Sequence, residues 1–288
     1  MSAVLKPRAM NLVGIVEQPE SSGHPYEIDA DGRPYVPTGT AGIVLGVELG
    51  DPIDGVDADH VAPGVTIAHP DPAARHALTS LSCVGNPVVV RTGDAAGERG
   101  VVIGKRGEEG RVIVHLPQDV LATLRPSDQI SVRAFGQGAA GPVEGVTALN
   151  VDPALLASLV AVAAGVVTVG VRLRLPSQVC GNGIGRPAHA WDVDLALGHD
   201  APAVAALRFG DLVVIDDLDS RTNLGYRAGW CTVGVIVHGP SPRPGHGPGL
   251  LPLLTGSAQQ LLAEVDAAHE GISSGRFVSL AGAAPGRM

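Results

Sequence analysis

The hydrophobic positions of this chain fall into short runs rich in Val and Ile, separated by Gly, Pro and Asp. This pattern is typical of β-strands joined by tight turns. In the first half a short helix is predicted at residues 116–124, and strands are predicted at residues 10–16, 41–49, 87–91, 99–104, 111–115 and 127–135. Several short strands with a single short helix predict a small β-barrel.

The second half begins with a predicted helix that Asp152 caps, with Pro153 at its first position and Gly165 at its end. A final helix is predicted at about residues 258–269, because Ser257 and Gln260 form a capping-box pattern. Strands are predicted at residues 166–175, 190–197, 211–217 and 229–238. The fold class is therefore α+β and β-rich. A β-barrel-like domain is expected at residues 1–145, and an α+β domain on a largely antiparallel sheet at residues 146–288.

The segment Ala154–Val171 contains eighteen residues and no charge, which is near the lower limit for a membrane span. The helix start at Asp152 and the break at Gly165 interrupt this segment. The β-branched run Val166–Val171 is typical of a buried strand. We therefore expect a strand here, and no membrane partner.

Composition narrows the classes of function. The formal net charge is −9, and Lys and Arg form no run, so a nucleic-acid partner is not expected. We expect no signal peptide at the start of the chain, since Glu17 and Pro19 interrupt its apolar residues. The three cysteines lie far apart with no C-x-x-C pair, which argues against a disulfide framework and a thiolate zinc site. A cytoplasmic protein is expected, and its high apolar fraction favours a homo-oligomer.

Two carboxylates share a predicted strand. Asp192 and Asp194 alternate with apolar neighbours, so both side chains point to one face at about 7 Å separation. That spacing suits a shared divalent cation or an acid–base pair. The alternative is a strand with one solvated face.

Two histidines flank a glycine-rich loop. His238 ends a predicted strand, and His246 lies in the loop with Gly245 and Gly247 beside it. Glycine backbone there can approach an anion, and a histidine is poised near neutral pH. As ligands of a divalent metal, the two would need a third partner, such as His60 or one of the carboxylates. The alternative is a capped or solvated histidine at a strand end.

The remaining candidates lie in loops. Asp59 precedes His60, but neighbouring residues of a strand point to opposite sides, so Asp59 is not required to orient His60. Asn86 and Asn182 lie in glycine turns, where they serve either as turn residues or as amide donors to substrate. Arg221 could bind a substrate carboxylate, or form a surface ion pair. The sequence contains no P-loop, G-x-S-x-G or H-E-x-x-H motif.

Several loop motifs, taken together and in order, resemble those of one bacterial and archaeal family, that of domain of unknown function 4438. These motifs are Gly50–Pro52, Asp59–Val65, Cys83–Asn86, Gly181–Gly185, Asp192–Asp194, Phe209–Val213, Val237–His238 and Gly245–Gly249. The resemblance spans about residues 30–255 and implies a β-rich fold without a specified reaction. Where a Gly-Ser-Gly-Leu-Gly pattern is expected in relatives, this chain has Asn182 in place of Ser.

These observations lead to two hypotheses of function. The first is an enzyme of hydrolase, lyase or cyclase type acting on a polar small molecule, with His60, Asp192, Asp194, His238 and His246 as catalytic residues. Asn86, Asn182, Arg221, Gly245 and Gly247 would bind substrate. The second is a non-catalytic binding or structural protein on the same scaffold. The first hypothesis requires His246 to lie within about 10 Å of Asp192 or Asp194.

Overall fold

The structure is a computed structural model that describes residues 8–20, 26–29, 31–36, 41–54, 59–196, 204 and 206–273. In the first half the helices are α1 (Pro72–Leu81) and α2 (Gln118–Leu121). The strands are β1 (Met10–Val16), β2 (Glu27–Ile28), β3 (Pro34–Tyr35), β4 (Ile43–Val44), β5 (Gly64–Ala68), β6 (Pro87–Val90), β7 (Arg99–Arg106), β8 (Arg111–His115) and β9 (Gln129–Ala134).

Six of these strands form a closed antiparallel barrel in the order β1-β9-β6-β7-β8-β5. The barrel closes where β5 pairs with β1, at Ile15↔Ala68 and Val16↔Ile67. Val and Ile side chains fill its interior, as expected for strands with one buried face. Helix α1 adds Leu78 to this core, and Leu121 of α2 does the same. The predicted barrel is confirmed.

In the described part of the second half, the helical elements with defined bounds are the α-helix α3 (Pro153–Leu159) and a 3-10 turn at Ser177–Val179. The strands are β10 (Val146–Ala148), β11 (Val160–Ala163), β12 (Val166–Val171), β13 (Leu173–Pro176), β14 (Val193–Asp194), β15 (Leu212–Asp219), β16 (Gly225–His238), β17 (Gly249–Ser257) and β18 (Leu261–Val265). The main sheet has the order β10-β17-β16-β15-β13, with β14 on β17. Strands β11, β12 and β18 form a separate sheet. The expected β-rich, largely antiparallel architecture is confirmed, with parallel pairing only at β13–β15 and β12–β18 among the described strands.

The predicted helix at residues 258–269 is wrong. Strand β17 ends at Ser257, residues 258–260 form a turn, and β18 follows. Ser257 and Gln260 do interact, but Gln260 donates its backbone N–H to the Ser257 carbonyl across this turn. The capping-box pattern therefore marks a tight turn between strands of two sheets, because the apolar residues after it pair with β12 rather than forming a helix.

Three further boundaries differ from the predictions. The helix capped by Asp152 ends at Leu159, and Gly165 lies in the turn between β11 and β12. Its φ of 78° explains why glycine is favoured in that turn. Of the predicted strands, residues 41–49 contain only Ile43–Val44. Among the described residues of the predicted strand at 190–197, only Val193–Asp194 form a strand, and residue 197 lies outside the described part.

The segment Val166–Val171 forms a strand, as predicted, with alternate side chains buried. Within the described residues, no helix has the length and apolar character that crossing a membrane requires.

Strand β7 of the barrel packs directly on the second sheet. Gly104 makes this approach close, because a Cβ at this position would lie 2.7 Å from the Val237 side chain of β16. Beside it, the fully buried Lys105 donates hydrogen bonds to Asn150 Oδ1 (2.8 Å) and the His189 carbonyl (2.9 Å). The barrel is therefore fixed against the end of β16, where the candidate site lies.

Candidate functional site

The site is built on a row of three residues across neighbouring strands. Asp194 of β14 pairs with Gly249 of β17, and Gly249 pairs with His238 of β16. Strands that are two apart in a sheet lie about 9.6 Å from each other. Gly249 has no side chain between them, so Asp194 Oδ1 and His238 Nε2 approach to 3.4 Å. The glycine in the middle of the row thus allows the two outer side chains to meet.

His238 has both ring nitrogens engaged. Nδ1 lies 2.9 Å from the Gly239 carbonyl oxygen, which can only accept, so Nδ1 must be protonated. Nε2 lies 2.8 Å from Asp192 Oδ2. The other oxygen of Asp192 accepts the backbone N–H of Gly107, in the turn that connects β7 and β8, at 3.0 Å. The barrel therefore helps to orient a carboxylate that belongs to the second half of the chain.

His60 enters the site from the loop that precedes β5. Its backbone N–H donates to the Pro240 carbonyl (3.1 Å), and Gly239 donates to the Val61 carbonyl (2.7 Å). These bonds hold the loop against the end of β16. The φ of His60 is 51°, in the left-handed region that few residues other than glycine adopt. Such a conformation recurs at functional sites.

The structure corrects the expectation about Asp59. Its Oδ1 atom lies 2.7 Å from His60 Nδ1, and both side chains are buried. The expectation assumed an extended strand, in which neighbours diverge. Because His60 has a left-handed backbone, the two neighbouring side chains instead meet. Asp59 therefore orients His60 and leaves its Nε2 atom directed at the rest of the cluster.

His246 completes the cluster. Its Nδ1 atom lies 3.0 Å from Asp194 Oδ2 and 3.1 Å from His60 Nε2. The sequence placed His246 beside one of the two carboxylates, and this geometry is as predicted. His246 is the most accessible of the five, with 16% of its side chain exposed. Together these side chains form the Asp194 cluster, which consists of His60, Asp192, Asp194, His238 and His246.

The glycines of the loop serve close backbone packing. The Gly245 carbonyl accepts the N–H of Asn182 (2.9 Å), and a Cβ on Gly247 would overlap the Leu195 carbonyl oxygen. The Asn182 carbonyl in turn accepts the N–H of Asp194 at 2.8 Å. In this structure the loop therefore presents a carbonyl, rather than an amide donor, at Gly245, and its packing fixes the backbone on both sides of Asp194.

The contacts within the cluster shift the pKa values of several of its members. Burial alone would raise the pKa of Asp194, but hydrogen bonds from His238, His246 and His60 outweigh burial and hold it far below its usual range. Burial disfavours a charged His238, yet its bonds to Asp192 and Asp194 raise its pKa to about 10. The hydrogen bond to Asp194 also raises the pKa of His246. The carboxylates of the cluster thus strongly attract positive charge.

A small cavity adjoins the cluster. Its volume is about 10 Å³, enough for about one water molecule or ion. The lining residues are His60, Arg106, Glu108, Asn182, Trp191, Asp192, Asp194 and His238. Among the described residues, two groups of three have their ligand atoms close enough together to hold a metal ion. One group is Asp192, Asp194 and His238, and the other is His60, Asp194 and His246.

Two of the predicted substrate-binding residues lie elsewhere. Arg221 pairs with Asp219 at 2.7 Å and stacks 4.0 Å from the ring of Trp230. It lies near the start of β16, about 40 Å along the strand from His238 by strand rise. Asn86 uses all of its side-chain donors and acceptors inside the protein, on Cys83, Phe135 and Asp152. Asn86 therefore holds backbone together.

Sequence reasoning missed several residues around the cluster. Arg243 donates to Glu27 (Nε–Oε2 3.0 Å), and its Nε lies 3.9 Å from Asp59 Oδ2. Arg106 lines the cavity and pairs with Glu109 at 3.1 Å. The position of Arg243 in the same loop as His246 was a usable signal. Nothing in the sequence connects Glu27 or Arg106 to this loop, because only the folded chain brings them there.

Replacing Gly249 with Ala tests the row across the three strands. The new methyl group would overlap His238 Nε2 and lie 2.6 Å from Asp192 Oδ2. We expect a loss of about 1–3 kcal/mol in the free energy of unfolding, measured in urea. Gly225→Ala, at the other end of β16, is the matched control, since its Cβ would meet nothing closer than 3.8 Å. Equal stability of the two variants would contradict the close packing at Gly249.

Two sequence profiles of one family cover most of the chain. The profile described as domain of unknown function (DUF4438), N-terminal, matches residues 26–157, and that described as DUF4438, C-terminal, matches residues 158–272. Among solved structures, the crystal structure of TM1086 is similar, with a TM-score of 0.88 and 34% sequence identity over 92% of this chain and 95% of that chain. No curated protein matches the sequence.

Proposed function

Because this chain belongs to the DUF4438 family, whose description names no reaction, we propose its function from the site itself: a hydrolase that acts on a polar small molecule. The observation that carries this proposal is the water-sized cavity lined by His60, Asp192, Asp194 and His238. Hydrolysis needs one water molecule held beside a base, and the cavity offers that arrangement. Lyase and cyclase reactions would use the same groups for proton transfer on the substrate itself.

His60 is the proposed general base. A buried carboxylate on Nδ1 fixes the tautomer that leaves Nε2 free to accept a proton, as in other acid–base sites with an orienting aspartate. Asp59 has this position, 2.7 Å from Nδ1. Nε2 faces Asp194 and His246, beside the cavity. A water there would give its proton to His60 while it attacks the substrate.

His246 is the proposed acid and the first side chain that a substrate meets. It is more exposed than its four partners, and its hydrogen bond to Asp194 favours the protonated ring. A protonated His246 can donate to a leaving group at the mouth of the site. Asn182 lines the same cavity, and we propose that its side-chain amide positions the substrate.

His246→Ala should abolish turnover while leaving the melting temperature within a few degrees, because the side chain is partly exposed. The assay is a panel of chromogenic carboxylic esters, phosphate esters and amides, with thermal unfolding followed in parallel. His76→Ala is the matched control: His76 is exposed on α1 and is no part of the cluster. Full turnover in His246→Ala would contradict the proposal.

A structural role is the competing function, and the deep burial of the cluster favours it. Four of the five residues are nearly inaccessible, and their bonds join the barrel to the second sheet. A purely structural cluster predicts that Asp194→Asn loses stability, and that the wild-type protein hydrolyses no substrate of the panel. The same panel and the same melting curves therefore separate the two functions.

We also propose a cytoplasmic homo-oligomer. Cys83, Cys180 and Cys231 are free and buried, which suits a reducing compartment. The sheet of β11, β12 and β18 exposes Val162 and Leu262, and such side chains are common where copies of a chain associate.

A further inference from the structure

We propose that the Asp194 cluster binds two divalent first-row transition-metal ions, which share the carboxylate of Asp194. One ion would be held by Asp192, Asp194 and His238, and the other by His60, Asp194 and His246. The inference deepens the proposed hydrolase and rests on it for the role of the ions. With both ions bound, His60 and His246 would serve as ligands, and the ions would activate the water in place of His60. Metal binding is measured independently of any reaction.

His238 directs one ring nitrogen at the two carboxylates of the cluster. Nδ1 donates to the Gly239 carbonyl, so a neutral ring would turn the lone pair of Nε2 toward two carboxylates, 2.8 and 3.4 Å away. This nitrogen and the two carboxylates present their ligand atoms close enough together to hold one metal ion. Histidines that bind metals commonly donate their other N–H to a backbone carbonyl or a carboxylate.

His60 repeats this arrangement on the other side of Asp194. Asp59 lies on Nδ1, and Nε2 faces His246 Nδ1 at 3.1 Å and Asp194 Oδ2 at 3.7 Å. Two histidines therefore have one nitrogen fixed from behind and the other turned toward Asp194. A single structural hydrogen bond does not require such a pair, whereas a pair of metal sites does.

The distances between the ligand atoms also match those found around a bound metal ion. For metal–ligand bonds of about 2.0–2.2 Å, neighbouring ligand atoms lie about 2.8–3.1 Å apart around an octahedral ion and about 3.3–3.6 Å apart around a tetrahedral one. The three pairs around the second site are 3.0, 3.1 and 3.7 Å. The pairs measured at the first site are 2.8 and 3.4 Å. Little movement would therefore convert either set into a coordination sphere.

The two carboxylate oxygens of Asp194 face the two different groups of ligands. Its Oδ1 faces His238, and its Oδ2 faces His60 and His246. A carboxylate with one oxygen on each side is the usual bridge between ions that lie about 3.5–4 Å apart. Three protein ligands on each ion leave positions for water and substrate, which distinguishes catalytic sites from closed structural ones. Mixed imidazole and carboxylate ligands favour zinc, manganese or iron over calcium.

The test is metal stoichiometry. The full-length protein is treated with chelator, equilibrated with excess Zn²⁺, desalted, and analysed by mass spectrometry of the elements; Mn²⁺ binding is followed by titration calorimetry. We expect two ions per chain in the wild type and one in His246→Ala. Asp59→Asn should weaken one site by about 10–100-fold, because it removes the group that orients His60. Paired Mn²⁺ ions should also show magnetic coupling by electron paramagnetic resonance.

Two controls keep the stoichiometry interpretable. His76 and His189 lie with their rings 6.3 Å apart and could bind an ion at the surface, so His76→Ala should retain both ions. His246→Ala changes a partly exposed side chain, so the test does not depend on variants in the core that fail to fold. Zero ions in the wild type would overturn the inference, and so would one ion that His246→Ala leaves in place.

Failure of this inference and failure of the proposed function are distinguishable. Hydrolysis by the chelator-treated protein, with no ion bound, would leave the hydrolase standing and remove the metals. Two bound ions without hydrolysis of any substrate in the panel would leave the metal sites standing and remove the hydrolase. A single ion that Asp194→Asn and His246→Ala both release would overturn the shared pair alone.

Discussion

Asp194→Asn is expected to reduce turnover by about 10²–10⁴-fold. Asp194 is the residue that contacts all three histidines of the cluster, at 3.4 Å from His238, 3.0 Å from His246 and 3.7 Å from His60. The amide keeps the shape but loses the negative charge and one acceptor. The orientation and protonation of every neighbouring ring therefore change together.

Asp211→Asn is the control for this substitution. Asp211 is equally buried but lies outside the cluster, where it pairs with Arg172 at 3.1 Å. Both variants lose a buried charge and should be destabilised, because each leaves partners unpaired. Only Asp194→Asn should lose turnover, measured on the best substrate of the panel. If both variants lose turnover in proportion to their stability, the role of Asp194 is structural.

Lys105→Met should cause the largest loss of stability, about 2–5 kcal/mol in urea unfolding at pH 7. Lys105 is one of two lysines in the chain and is completely buried between the barrel and the second sheet. Methionine fills a similar volume but leaves Asn150 Oδ1 and the His189 carbonyl without their donor. Arg125→Met is the control, since Arg125 forms an exposed ion pair with Asp94 that contributes about 0–1 kcal/mol.

The effect of Lys105 should also depend on pH. Burial lowers its pKa from 10.5 in the unfolded chain to about 8 in the folded protein. Between these values the unfolded chain holds one proton more than the folded protein, so the stability of the wild type should rise with pH relative to Lys105→Met. An uncharged amine still has two N–H bonds for Asn150 and His189. A stability difference that falls between pH 8 and 10.5 would contradict this account.

Much of the barrel could be predicted from local pattern. Strands β1 and β6 to β9 coincide closely with the predicted runs, because each run is rich in β-branched residues and ends at a turn. The same kind of reasoning missed α1, although Asp71 and Pro72 repeat the cap and first-turn proline that revealed α3.

The errors in the second half have a physical cause. Strand β17 contains Pro252, and a proline inside an apolar run argues against a strand. The structure accommodates it where the register with β16 shifts, between Val233↔Leu254 and Gly234↔Pro252. The helix at residues 258–269 was predicted from the pattern of Ser257 and Gln260, whereas the apolar residues after it pair with β12. Pairing over long distances in the chain decided the outcome.

The sequence predicted which residues form the candidate site better than it predicted how they contact one another. Aspartates in alternation and histidines beside glycines were visible in the sequence, and the structure brings five of them together. The orienting role of Asp59 depends on the φ of His60, and the contact of Asp194 with His238 depends on Gly249. Neither dependence can be read from local pattern, because both arise from backbone that other segments hold in place.

The contact between His60 and His246 joins residues that are 186 positions apart. A ribosome adds about 5–20 residues per second, so His60 emerges roughly 10 to 40 s before its partner. The barrel, which ends at Ala134, can fold during that interval. The nascent chain then carries Asp59 and His60 without the residues that complete the site. Any ligand of the cluster is therefore acquired only after most of the protein has been synthesised.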